Sequence, residues 1–207
     1  MDKNQLTIKA YDDNFQHYSD KFDDYGVRVE DIDRAIKLNE SGSLRALELG
    51  CGNGRDAEYI VKKVGETNYT GIDASKELLK IAQDRLPKVD FRLQDMREVD
   101  VSPETYGIVF AFASLLHVNR EETVEILKKC HKSLKNGGVL YITTKFGEYR
   151  EIKINNMGDE KYYYSYKDRD IQDMAGSGFI TVYNAIGDSD YGPTLTIVLK
   201  KVAHETR

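Results

Sequence analysis

Apolar positions change their period along this chain, and the changes divide it. Tyr11, Phe15, Tyr18 and Phe22 stand at i, i+4, i+7 and i+11, one face of a helix over 11–22. A second helical stretch over 29–40 ends at Glu40-Ser41-Gly42-Ser43, a turn signal. From there short apolar runs alternate with amphipathic stretches. Strands are expected at 45–50, 69–74, 90–94, 106–114 and 137–145, and helices at 54–64, 75–85 (opened by Ser75) and 120–135. Strands separated by helices need crossover connections, which make a parallel sheet covered on both faces. Residues 147–166 are polar and tyrosine-rich with no clear period. A short helix over 167–176 and two strands, 178–187 and 193–201, follow. The last two read as an antiparallel hairpin closing one sheet edge. The predicted fold is α/β: a Rossmann-like, doubly wound, seven-stranded sheet, mostly parallel with one reversed strand, helices on both faces. One domain is expected, with a helical cap (1–42), a core (45–145), a lid insertion (147–166) and a terminal helix and hairpin (167–207).

Composition narrows the partners. Forty per cent of the 207 residues are apolar and 31% charged, and the formal net charge is -5. An acidic balance disfavours a broad phosphate-reading surface. The first fifteen residues have no apolar core of a signal peptide, and no window approaches the roughly 20 apolar residues of a membrane span. Cys51 and Cys130 have neither CxxC nor Cys/His metal spacing, so reduced thiols, a cytoplasmic setting and no metal are expected.

The first core strand runs into Glu48-Leu49-Gly50-Cys51-Gly52-Asn53-Gly54. Glycines at alternate positions between a strand and a helix suit close approach of an anionic or carboxylate-bearing ligand to the backbone. The dinucleotide fingerprint would need glycine where Arg55 stands, so a nicotinamide oxidoreductase is disfavoured. "ALELGCGNG", "GIDAS", "QDM", "GIVFAFASLLHV" and "SLKNGGVLYITT" occur in register. In these the chain resembles the class I S-adenosylmethionine-dependent methyltransferases, of the small methyltransferase-domain-25/type-12-like kind, over residues 45–145. The resemblance implies S-adenosylmethionine as cofactor and S-adenosylhomocysteine as product. It implies that the loop from Gly50 to Gly54, with Cys51 and Asn53, passes under the methionine part, and that Glu48 orients it. Asp73, beside Ala74, would accept the ribose hydroxyls, and Asp95 the adenine amine. Met96 would pack on the purine, and Ala113 and Ser114 would line the methyl end.

Methyl transfer needs alignment more than acid–base chemistry, so the catalytic signature is weaker. His117 follows the fourth strand with a pKa range suited to a base. Lys145 ends the fifth strand, where it would hold an anionic acceptor. Tyr162, Tyr163, Tyr164 and Tyr166 in the insertion read as a substrate lid; Tyr162, Tyr164 and Tyr166, with Tyr11 and Tyr18 on the first helix, are expected to grip the acceptor, with Tyr164 a second catalytic candidate. Packing faces would produce the same tyrosine spacings. The place after the fourth strand lacks both the Asn/Asp-Pro-Pro-aromatic motif of DNA amino-methyltransferases and a cysteine nucleophile. The expectation is therefore methyl transfer to a small molecule by a monomer or homodimer. An RNA methyltransferase and a catalytically silent S-adenosylmethionine-binding protein are the alternatives.

Overall fold

A computed structural model describes residues 1–99, 102–189 and 192–203. Helices α1 (Lys3–Asp13), α2 (Phe15–Asp24) and α3 (Val29–Leu38) precede strand β1 (Ala46–Leu49). Then come α4 (Arg55–Val64), β2 (Tyr69–Asp73), α5 (Lys76–Arg85), β3 (Asp90–Leu93), β4 (Tyr106–Phe112), α6 (Arg120–Ser133) and β5 (Leu134–Phe146). The chain closes with β6 (Arg150–Asn156), β7 (Asp159–Tyr166), α7 (Asp168–Ala175), β8 (Phe179–Gly187) and β9 (Thr194–Lys201).

The central strands β1 and β4 are buried along their whole length. Their alternation sends Leu47, Leu49, Val109 and Ala111 to one face and Ala46, Ile108, Phe110 and Phe112 to the other. Ile126, Leu127 and Cys130 of α6 and Ile171 of α7 cover the first face. Ile32 and Ala35 of α3, Ala57 and Ile60 of α4, and Leu79 and Ala82 of α5 cover the second. Each fully buried aliphatic or aromatic side chain contributes roughly 1.5–3 kcal/mol, so this two-sided burial fixes the layers. Local signals agree with it. Ser75 caps α5 by accepting from Leu78 N–H, and Asn119 and Glu122 form a capping box at α6.

Strands run in the order β3-β2-β1-β4-β5-β9-β8, with β1 to β5 parallel and β9 reversed between β5 and β8. These are the seven strands expected. Two findings depart from the sequence reading. The insertion is an antiparallel hairpin, β6–β7, and β7 pairs with Lys145 and Phe146 of β5 on the edge that β4 leaves after Phe112. The hairpin thus stands over the carboxyl ends of the parallel strands. The first helix is also two: Asn14 (φ -122°, ψ 29°) breaks it and donates from its side chain to Asp159 of β7. No helix among the described residues is long and apolar enough to cross a membrane.

Candidate functional site

At the carboxyl end of β1 the chain turns back on itself, with the Gly50 and Cys51 N–H groups both donating to the Ile72 carbonyl (2.8 and 3.0 Å). Gly50 has φ +76°, and a Cβ there would lie 2.6 Å from Ser114 Cβ, so only glycine lets the loop sit against the end of β4. Asn53 anchors the next part of the loop to α2, donating to Ser19 Oγ (2.9 Å) and Asp23 (3.0 Å). Arg55 adds a bond to the Phe22 carbonyl. The loop is held low and α2 is drawn over it, which leaves a cavity of about 660 Å3 between them. That is the size range of small-molecule sites.

Three carboxylates border this end. Glu48 is 2% exposed and accepts a 2.5 Å hydrogen bond from Tyr69. Burial, with Asp56 as a like charge nearby, holds its carboxyl well above the usual range. Asp73 accepts from Gly52 N–H through Oδ2 (2.7 Å) and from Ser75 N–H through Oδ1 (2.8 Å). Burial outweighs those bonds and pushes its pKa up to about 6. Each oxygen keeps a lone pair for a ligand hydroxyl. Asp95 is more committed: Oδ1 accepts from Arg97 N–H (2.9 Å) and Oδ2 takes the Arg97 guanidinium twice (3.0 and 2.7 Å). Met96, Ala74 and Ser114 fill the wall among them.

The opposite wall comes from α1, α2, the turn after β4 and the odd-numbered face of β7. His117 Nε2 lies 3.0 Å from Tyr11 Oη, and Nδ1 lies 3.1 Å from the Tyr162 carbonyl. A carbonyl only accepts, so Nδ1 carries the proton and Nε2 accepts from Tyr11. Burial lowers the His117 pKa to about 4, with Lys161 adding repulsion, so the ring is neutral near pH 7. Lys161 is 4% exposed and donates to Tyr18 Oη. Its nitrogen sits 3.9, 5.0 and 5.7 Å from the ring centroids of Tyr18, Tyr11 and Tyr163.

Of the residues expected from sequence, the cavity brings together Tyr11, Tyr18, Glu48, Gly50, Cys51, Gly52, Asn53, Asp73, Ala74, Asp95, Met96, Ala113, Ser114, His117 and Lys145. It does not include Gly54, which precedes α4 and packs on Ala82 of α5. Nor does it include Tyr162, Tyr164 or Tyr166, the residues expected to grip the acceptor, Tyr164 among them as the second catalytic candidate. Tyr162 donates to Glu160 and Tyr164 to Glu151, while Tyr166 is buried and donates to the Val118 carbonyl. Strand residues alternate faces, and the face turned to the cavity carries Lys161 and Tyr163. Lys161 was missed and Tyr163 was read only as one of four lid tyrosines, although alternation within "KYYYSY" holds the signal once a strand is granted. Thr144 and Arg28 were missed as well.

Ser114 Oγ and Thr144 Oγ1 are buried beside this cavity with no hydrogen-bond partner among the described residues. Buried polar atoms are rarely left so. A polar-edged loop, an available carboxylate at Asp73 and apolar Met96 and Leu78 fit an adenosyl amino acid.

Comparison with known proteins agrees. Residues 46–138 match the family model described as a methyltransferase domain. Trans-aconitate 2-methyltransferase of Rhizobium rhizogenes is 34% identical over 123 residues, 59% of this chain and 46% of that one. Phosphoethanolamine N-methyltransferase of Plasmodium falciparum is 28% identical over 128 residues, 60% of this chain and 46% of that one. The matches span about half the length of these relatives. In fold, an S-adenosylmethionine-dependent methyltransferase from Clostridium acetobutylicum superposes with a TM-score of 0.70 at 15% identity, covering 92% of this chain and 99% of the other. Magnesium protoporphyrin IX methyltransferase from Synechocystis, solved with bound S-adenosylmethionine, gives 0.63 at 15% identity, covering 82% and 76%. Motif register, strand order and matched domain agree: residues 46–138 match a methyltransferase-domain family, and the chain has the fold of the S-adenosylmethionine-dependent methyltransferases.

Proposed function

We propose that this chain binds S-adenosylmethionine at the glycine loop and transfers its methyl group to a small-molecule acceptor held under α1, α2 and β7. One observation carries the reading. The loop, Asp73 and Ser114 line the same cavity as Tyr11, Tyr18, Tyr163 and His117, so donor and acceptor sites would share one space. The cofactor supplies a methyl on a positively charged sulfur. The acceptor's lone pair forms the new bond to carbon while the carbon–sulfur pair returns to sulfur.

The chain's own work is alignment. Asp73 and Asp95 would hold the nucleoside, and Ser114 the end nearest β4. Tyr11 and Tyr163 would confine the acceptor against it. His117 fixes the Tyr11 hydroxyl and is too weak a base, at about 4, to strip an alcohol. The site therefore suits a nucleophile that needs no proton removed before it attacks, a carboxylate or a neutral amine. A net charge of -5 speaks against RNA as the acceptor.

The test is transfer of tritiated methyl from S-adenosylmethionine to a panel of small acids, small amines and bulk tRNA. Label on a small molecule is the expected result. Label on tRNA would replace the small-molecule reading with the RNA one. Tight S-adenosylhomocysteine binding without transfer to any acceptor would favour a silent cofactor-binding protein.

A further inference from the structure

We propose that Lys161 is the acceptor-recognition residue of this site, and that the acceptor carries a carboxylate which the Lys161 ammonium holds. This rests on the methyltransferase reading and adds the acceptor's chemical class to it.

Lysine is almost never fully buried without a paired charge. Lys161 is 4% exposed, and among the described residues no carboxylate lies within ion-pairing distance of it. Its hydrogen bond goes to the Tyr18 hydroxyl, leaving two of three N–H donors for other partners. The groups that face it are Tyr11 from α1, Tyr18 and Lys21 from α2, the neutral His117 from the turn after β4, and Asp159 and Tyr163 from its own strand. Tyrosine faces stabilise the cation but accept no strong hydrogen bond. Lys21 opposes the charge and Asp159 favours it only at longer range. Burial dominates, and the ammonium's pKa falls to about 8. Lys161 borders the cavity, so a carboxylate entering beside Tyr163 would restore the missing partner.

The same cage argues against a cationic acceptor. Three tyrosine rings around one centre could have received a ligand's ammonium, but the protein's own ammonium already occupies that centre. A second cation would meet repulsion there. An ammonium bound to a carboxylate oxygen also draws charge from it. The methylated atom is therefore a different one on the same molecule, a second carboxylate or a neutral amine.

The probe is propane-1,2,3-tricarboxylate, titrated by calorimetry into protein saturated with S-adenosylhomocysteine. Its triamide and methylphosphonate are run in parallel, with wild type, Lys161→Met and Lys161→Arg. Expected are tricarboxylate binding at least tenfold tighter than the triamide and a tenfold or greater loss in Lys161→Met. Lys161→Arg should hold most of the affinity, and S-adenosylhomocysteine affinity should stay within twofold of wild type in both variants. Should Lys161→Met fail to fold, wild type alone decides: affinity should fall as pH rises past about 8, where the ammonium discharges. Equal binding of acid and triamide overturns the proposal, as does no acid binding or a flat pH profile. Tighter binding of methylphosphonate overturns the carboxylate assignment. Loss of S-adenosylhomocysteine from Lys161→Met would move Lys161 to the donor end and also overturn it. Failure of wild type to bind S-adenosylhomocysteine would instead strike the methyltransferase reading, and the acid titration on the unloaded protein would still report on Lys161.

Discussion

Protonating Asp73 should release the nucleoside, and the structure sets where. A ribose held by this carboxylate needs it ionised, because the protonated acid loses charge-assisted acceptance. Burial places its pKa at about 6, above the ordinary 3.8. A raised acid is charged only above that value, so affinity for S-adenosylhomocysteine should climb as pH rises through 6 and level off near 7.5. At pH 5 roughly one molecule in eleven is ionised, which weakens binding by about tenfold. His117, with a pKa near 4, stays neutral across the window, and Lys161, near 8, stays charged over most of it. The slope therefore belongs to Asp73 among these three. Asp73→Asn should abolish it and lower affinity at pH 7.5 by the value of charge-assisted hydrogen bonds, about 1.5–3 kcal/mol, or about 10- to 150-fold. Calorimetry at half-unit pH steps, with thermal melts confirming that the variant is folded, reads both effects. A flat wild-type profile, or an Asp73→Asn variant that binds like wild type, would refute the reasoning.

Other outcomes follow from the same geometry. His117→Asn should flatten part of the stability profile in acid. The histidine's pKa is about 4 folded and about 6.5 unfolded, so the unfolded chain takes up the proton first. Its contribution of about 3 kcal/mol is present above pH 6.5 and lost as pH falls toward 4, as urea melts of both proteins would show. Gly50→Ala combines a φ of +76° with a 2.6 Å clash and should cost about 2–5 kcal/mol. Gly52→Ala, whose Cβ would meet Phe22 at an ordinary 3.5 Å, should cost about 1–2 kcal/mol; thermal melts should rank them so. Tyr166→Phe leaves the buried Val118 carbonyl without that donor and should lose about 1–2 kcal/mol of stability with S-adenosylhomocysteine affinity unchanged.

The layers were legible in the sequence because period and burial coincide. Apolar β4 lies at the sheet centre, and α6 shows its helical stripe and its cap. The glycine loop was legible because a positive φ and a close backbone approach leave few other residues possible. The tyrosine-rich insertion was not. Its turn, Met157-Gly158, has both residues at positive φ (56° and 85°), and methionine gives no sign of that. Without the turn there is no strand, and without the strand no way to choose between Tyr162, Tyr164, Tyr166 and the opposite face. The break at Asn14 depends on a bond to Asp159, 145 residues away. Lys161 was hidden for a similar reason: a lysine in a charged segment is usually solvated, and only α1 and α2 folding over β7 bury this one.

The most direct test is a crystal structure of the protein grown with S-adenosylhomocysteine. The ribose hydroxyls are expected on Asp73, the purine beside Asp95 and Met96, and the sulfur near Ser114, facing Tyr11 and Tyr163. An adenosyl group bound outside this cavity, or lying in it with the ribose turned away from Asp73, would contradict the donor site placed here.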